Sequence, residues 1–197
     1  MPLQNRVLPT GEIIATPARG LFMGNRGILH DDHKQLTHAR WRHKAWVTCV
    51  LEFKNRKRVL MQPNAYTELF FLDEAVALAA GHRPCAECRR ADFLQYKDAA
   101  GIVGRVAEFD NTLHRARAIP RKYDQVRQTR AANDLPDGSF VLSETGQPAL
   151  LWQDQMLPFA PGGYEAPRSR PKGCDLVTLT PEPNLRALAE GYTPKLH

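Results

Sequence analysis

The chain has 197 residues, with 27 Lys and Arg against 21 Asp and Glu, for a net charge of +6. Apolar residues make up 43% and charged residues 24%, a globular composition that excludes a disordered, collagen-like or fibrous chain. A core can form at this length without disulfide staples, and no run approaches ~18 consecutive apolar residues, which excludes a membrane-spanning helix.

The opening MPLQNRVLPTGEII has no basic start followed by an apolar run. No secretory signal is therefore expected, and the expected location is cytoplasmic. Residues 1–20 read as an extended lead-in. Leu21 to Asp32 reads as two short strands around a polar turn, ending in a loop at His30. In Trp46 to Phe53, the residues Val47, Cys49, Leu51 and Phe53 alternate onto one strand face. Residues 54–57 suit the turn of a hairpin whose return begins at Arg58. Thr67 to Leu72 forms a further strand.

Asp73 is a good N-cap for a helix over residues 74–80, and Gly81 a good residue to end it. Residues 89–99 suit a second helix, ended by Gly101 and Gly104. Residues 110–130 have a helical pattern that Pro120 interrupts. From residue 133 the pattern becomes a β-meander, with turns at Pro136-Asp137-Gly138 and Thr145-Gly146. A Pro/Gly-rich loop spans 161–173, a strand follows at 174–180, and a helix after Pro183 stops at Gly191. The expected fold class is α+β. Three segments are expected: 1–104, a basic helical connector at 105–132, and a β-meander with a terminal helix at 133–197.

The four cysteines are Cys49, Cys85, Cys88 and Cys174. That pattern is not a disulfide framework. In Arg83-Pro84-Cys85-Ala86-Glu87-Cys88-Arg89-Arg90, two thiolates separated by two residues can turn inward on one loop and grip a tetrahedral ion, most often Zn²⁺. The adjacent arginines and helix start favour the thiolate form. A treble-clef-like zinc module has this shape. Its remaining ligands come from His30, His33, His38, His43, Cys49, His82, His114 or Cys174. The preferred pair is His30 with Cys49, followed by His30 with His33. Cys174, in the second lobe, reads as a core residue.

The run from Thr67 to Phe93 resembles the second half of the zinc-binding N-terminal domain of Ada-type DNA-repair methyl acceptors. It has the aromatic Phe70-Phe71, the Ala-rich helix ending at Gly81, then Arg83-Pro84-Cys85, Cys88 and Arg89-Arg90. Gly27-Ile28-Leu29-His30 resembles the start of that family's upstream element, with His30 at its first cysteine position. The resemblance covers roughly residues 20–95. It implies a zinc-stapled lobe and contact with DNA. It does not carry over methyl transfer, because an imidazole is a poor alkyl acceptor where the family has a thiolate.

Charge is clustered. Lys34 to Arg58 holds eight Lys/Arg against Glu52, and Arg115 to Arg130 holds six against Asp124. Such clusters suit a polyanion, so the leading expectation is a nucleic-acid partner, DNA ahead of RNA. The expected phosphate contacts are Arg42, Lys44, Arg56, Lys57, Arg58, Arg83, Arg89 and Arg90. Trp41, Trp46 and Tyr66 lie among these charges and offer rings for stacking. One alternative is a metal-dependent nuclease or phosphodiesterase using the loop His30-Asp31-Asp32-His33. Another is a zinc-folded interaction module whose acidic meander, 131–165, meets a protein partner. No phosphate loop, nucleophile elbow or dinucleotide fingerprint is present.

Overall fold

The structure, a computed structural model, describes residues 1–55 and 59–197. Arg56, Lys57 and Arg58, three of the expected phosphate contacts, lie outside the described residues, as does much of the expected hairpin turn. The fold is α+β, with two large sheets, a small hairpin and four α-helices among the described residues.

The first sheet is built from β1 (Gln4–Val7), β2 (Ile13–Ala15), β3 (Phe22–Asn25), β4 (Val47–Val50), β5 (Leu69–Phe71) and β6 (Arg83–Pro84), with helix α1 (Glu74–Ala79) between β5 and β6. Its order is β2-β1-β5-β3-β4-β6. The β1–β5 and β4–β6 pairs are parallel and the others antiparallel. Helices α2 (Arg90–Ala99) and α3 (Val106–Arg117) follow, then a hairpin of β7 (Ala118–Ile119) and β8 (Asp124–Gln125). The second sheet contains β9 (Gln128–Ala131), β10 (Phe140–Leu142), β11 (Pro148–Trp152), β12 (Gln155–Ala160), β13 (Gly163–Tyr164), β14 (Arg168–Ser169) and β15 (Asp175–Thr178). Helix α4 (Glu182–Ala189) closes the order. No helix among the described residues is long and apolar enough to cross a membrane.

Helix α1 starts where its cap directs: the Asp73 carboxylate accepts a 3.0 Å hydrogen bond from the Val76 N–H. All six of its residues are buried. Gly81 follows at φ +81°, where a Cβ would meet the Arg117 side chain at 2.4 Å, so both the backbone and the space require glycine. The carbonyls at this helix end are reached by side chains from distant parts of the chain. Ala80 accepts from Arg26 and Gln125, Gly81 from Arg117, and Leu78 from Asn184. These contacts satisfy acceptors that the helix itself leaves open.

The apolar face of α1 joins the two sheets. Ala75, Val76, Ala77 and Ala79 pack in one core with Phe22, Leu69 and Phe71 of the first sheet and Phe140, Leu150 and Phe159 of the second. The segments before and after the connector therefore share a core.

Residues 1–20 and 161–173, expected as a lead-in and a loop, hold strands β1, β2, β13 and β14, and three further elements differ from expectation. The strand expected over 46–53 extends only from Val47 to Val50, and 21–32 yields the single strand β3. The helical pattern at 110–130 is realised as α3, then as the β7–β8 hairpin around Pro120. Proline removes an N–H and biases its predecessor to extended backbone, and Arg121 and Tyr123 turn the chain at φ +67° and +53°.

Candidate metal centre

A two-residue parallel pairing sets the geometry of the cysteines. Strands β4 and β6 align Val47 with Arg83 and Thr48 with Pro84, and the Cys85 N–H donates to the Thr48 carbonyl at 2.9 Å. Cys49 and Cys85 are the next residues along these paired strands. The chain then turns: the Arg89 N–H donates to the Cys85 carbonyl at 3.2 Å, and the Glu87 N–H donates to the Cys85 sulfur at 3.4 Å. That turn returns Cys88 to the same point ahead of α2. The three Sγ atoms of Cys49, Cys85 and Cys88 all lie within 4.8 Å of one another, the one such ligand group among the described residues.

The donor set fits a thiophilic cation. Zinc bonded to thiolates at ~2.3 Å in a tetrahedron spaces its sulfurs by about 3.8 Å, and the three cysteines are already gathered on that scale. Hydrogen bonds from Cys49 and then Cys88 hold the Cys85 thiol well below its ordinary pKa. The same contact with Cys85, followed by that with Cys88 and by burial, pushes the Cys49 thiol far up. Three sulfurs this close cannot all ionise without a cation between them, so they share protons or hold a metal.

The cysteines form one wall of a cleft of about 490 Å³. Val47, Cys49, Leu51 and Phe53, the residues that alternate in the sequence, all line it. Met23 and Phe70 add apolar wall, and Glu52, Glu68 and Glu87 add carboxylates. Glu68 is buried, and its carboxylate accepts from the Met61 N–H at 2.8 Å.

His30, expected as a ligand, is placed elsewhere. It is buried, with Nδ1 2.6 Å from the Thr67 hydroxyl and Nε2 3.2 Å from the Gln62 carbonyl. Both ring nitrogens are engaged in holding its loop, so it is corrected from metal ligand to loop anchor. Asp31 closes the same loop by accepting from the N–H groups of His33 and Gln35, both at 2.9 Å. Backbone bonding from Gln35 is the leading cause of its lowered pKa. The ligand atoms of His30, Asp31, Asp32 and His33 do not form a metal-holding group. Cys174 is exposed, away from the core expected for it.

Two of the expected phosphate contacts are internal. Arg83 donates to both oxygens of Asp110 at 2.7 and 2.8 Å, and Arg89 lies 2.7 Å from Glu74 with both side chains 1% exposed. Each guanidinium has a buried carboxylate beside it, which removes it from the surface. Arg42, Lys44 and Arg90 are exposed. Trp46 is fully buried and Trp41 partly so. Tyr66 lines the cleft.

Compared with known proteins, the chain matches no family model, no curated protein and no solved structure. The site therefore rests on its own chemistry.

Sequence reasoning missed a second cluster. Arg26 and Arg117, both buried, place their guanidinium carbons 4.2 and 3.9 Å from the ring centre of Trp46. His82 lies beside the same ring at 5.5 Å and accepts from Arg26 at 3.0 Å. Only the Gly81 turn signalled this cluster, since a glycine there admits Arg117.

Proposed function

We propose that the protein is a zinc-binding protein, with an Ada-like zinc lobe, that binds nucleic acid, DNA ahead of RNA. Cys49, Cys85 and Cys88 hold one Zn²⁺, which staples β4 to the turn that opens α2. The observation that carries this reading is the convergence of a strand cysteine with both cysteines of the knuckle. The exposed cations of 34–44 and 115–130 supply the phosphate contacts, and the DNA preference rests on the Ada resemblance. Metal analysis of purified protein is expected to find about one tightly held zinc per chain. Cys88→Ser is expected to lose it and lower the melting temperature by well over ~10 °C, since structural zinc contributes folding free energy directly. Zinc-free protein with an unchanged Cys88→Ser melting curve would overturn the reading.

A second reading follows from the open side of the sulfur set. Among the described residues no fourth His, Cys, Asp or Glu joins the three, and the cleft with its carboxylates lies beside them. Zinc with a vacant position acts as a Lewis acid and acidifies a bound water. The chain's part would be to exclude bulk water with its apolar walls and to place Glu52 or Glu68 near a substrate. Metal-dependent phosphodiester cleavage that disappears in Glu68→Gln would favour this reading.

A further inference from the structure

The segments 34–44 and 114–123 together carry eight Lys and Arg and no Asp or Glu. Seventy residues separate them in the chain, roughly, yet the fold merges them into one surface. Trp41 meets Tyr123 at 4.8 Å and His114 at 5.6 Å between ring centres, and His38 meets Tyr123 at 5.2 Å. Arg117 donates to the Lys44 carbonyl at 2.6 Å, and the Lys44 ammonium donates to Asn111 at 2.9 Å. Arg42, Lys44, Arg115, Arg121 and Lys122 are exposed there. Among the described residues, none of the five belongs to an ion pair.

The surface thus joins two chemistries. Exposed cations that form no ion pair among the described residues maintain a positive field that attracts a polyanion. Partly open rings among them offer π-faces. The Trp41–Tyr123 contact is edge-to-face, at 69° between planes, so it does not consume both faces of both rings. Trp41 is also braced from beneath by Trp46, at 5.5 Å, which limits the entropy lost when a partner seats on it. An intact duplex keeps its base faces stacked inside and presents only phosphates to such a surface. A single strand presents phosphates and base faces together.

We propose that this surface docks a single-stranded polynucleotide, with its phosphates on the five exposed cations and bases against Trp41 and Tyr123. The assignment rests on the nucleic-acid half of the proposed function and adds the surface and the strand state. Fluorescence anisotropy tests it on the full-length, zinc-loaded chain. The probes are oligothymidylate and oligouridylate of about 20 nucleotides, a duplex of equal length, and oligoglutamate. At least one single strand is expected to bind roughly tenfold more tightly than the duplex or oligoglutamate, with affinity falling steeply as salt rises. Trp41→Leu and Tyr123→Leu are each expected to weaken strand binding roughly tenfold, with little effect on the duplex. Melting curves confirm that the variants fold, and Tyr123→Leu serves alone if Trp41→Leu does not. Equal affinity for strand and duplex, or insensitivity to loss of the ring, overturns the single-strand assignment while leaving nucleic-acid binding in place. Oligoglutamate bound as tightly as either strand also overturns it. Absence of binding to every polynucleotide fails both this assignment and the nucleic-acid half of the proposed function, whereas the metal content is measured separately.

Discussion

The knuckle and the Trp46 cluster both bury arginines, and they neutralise them by different means. Beside the knuckle, Arg83 holds both oxygens of Asp110 and Arg89 faces Glu74 and Asp92. Around Trp46, Arg26 donates to His82 and to the carbonyls of Gly11 and Ala80, and Arg117 donates to the carbonyls of Gly81 and Lys44. Neither of these two has a carboxylate in contact. Burial, then repulsion from Arg40, lowers the Arg26 pKa to about 9. Burial, then repulsion from Arg26, lowers that of Arg117 well below its usual value. Charge at the metal end is matched locally. At the other end dipoles and a π-face make the direct contacts and Asp110 acts on Arg117 only from a distance, so the surface above remains positive.

The comparison breaks first at Asp110. Asp110→Ala would strand Arg83 in the interior and is expected to cost about 3–5 kcal/mol in urea unfolding. Replacing Arg117 with Met should cost less, about 1–3 kcal/mol, because it leaves carbonyls rather than a charge without partners. If Arg117→Met proves the more damaging, the distinction between the two ends fails. The smallest expected effect is a pH dependence at the Trp46 end. Burial, then Arg117, holds His114 at about 4, below its ordinary 6.5. The unfolded chain therefore takes up this proton first as pH falls, and stability contributed by neutral His114 is lost from about pH 6.5 down to about pH 4. Buried His82, also pushed well below its ordinary value, acts in the same direction. His114→Asn should flatten part of that slope in melting curves recorded across this range.

Local signals were legible in the sequence where one short segment decides the outcome. The Asp73 cap, the Gly81 stop, the knuckle and the meander turns at Gly138 and Gly146 are of this kind. Cys49 was legible as a candidate because its strand could pack beside the knuckle, whereas its alternation onto an apolar face pointed to the core, and that face in fact lines a cleft. His30 misled because residue type shows capacity and not position. The pairing of β3 with β4 and β5, and Thr67 next to its ring, decide where it sits. Arg83 and Arg89 misled for the same reason: their carboxylates come from α3 and α1, and charge counting along the chain does not show who folds against whom. The convergence of residues 34–44 with 114–123 is likewise tertiary, with Tyr123 placed by the turn after Pro120.

Helix α1 has a consequence for how the chain reaches its native state. Six residues are too few for a stable isolated helix, and the groups that close its end come from Arg26, Arg117, Gln125 and Asn184. Its two carboxylates at the start are reached by Tyr164 and Tyr192. The helix can therefore persist only once nearly the entire polypeptide has assembled around it. Assembly governed by such distant partners is slow and all-or-none, so neither sheet is expected to survive as an autonomous fragment.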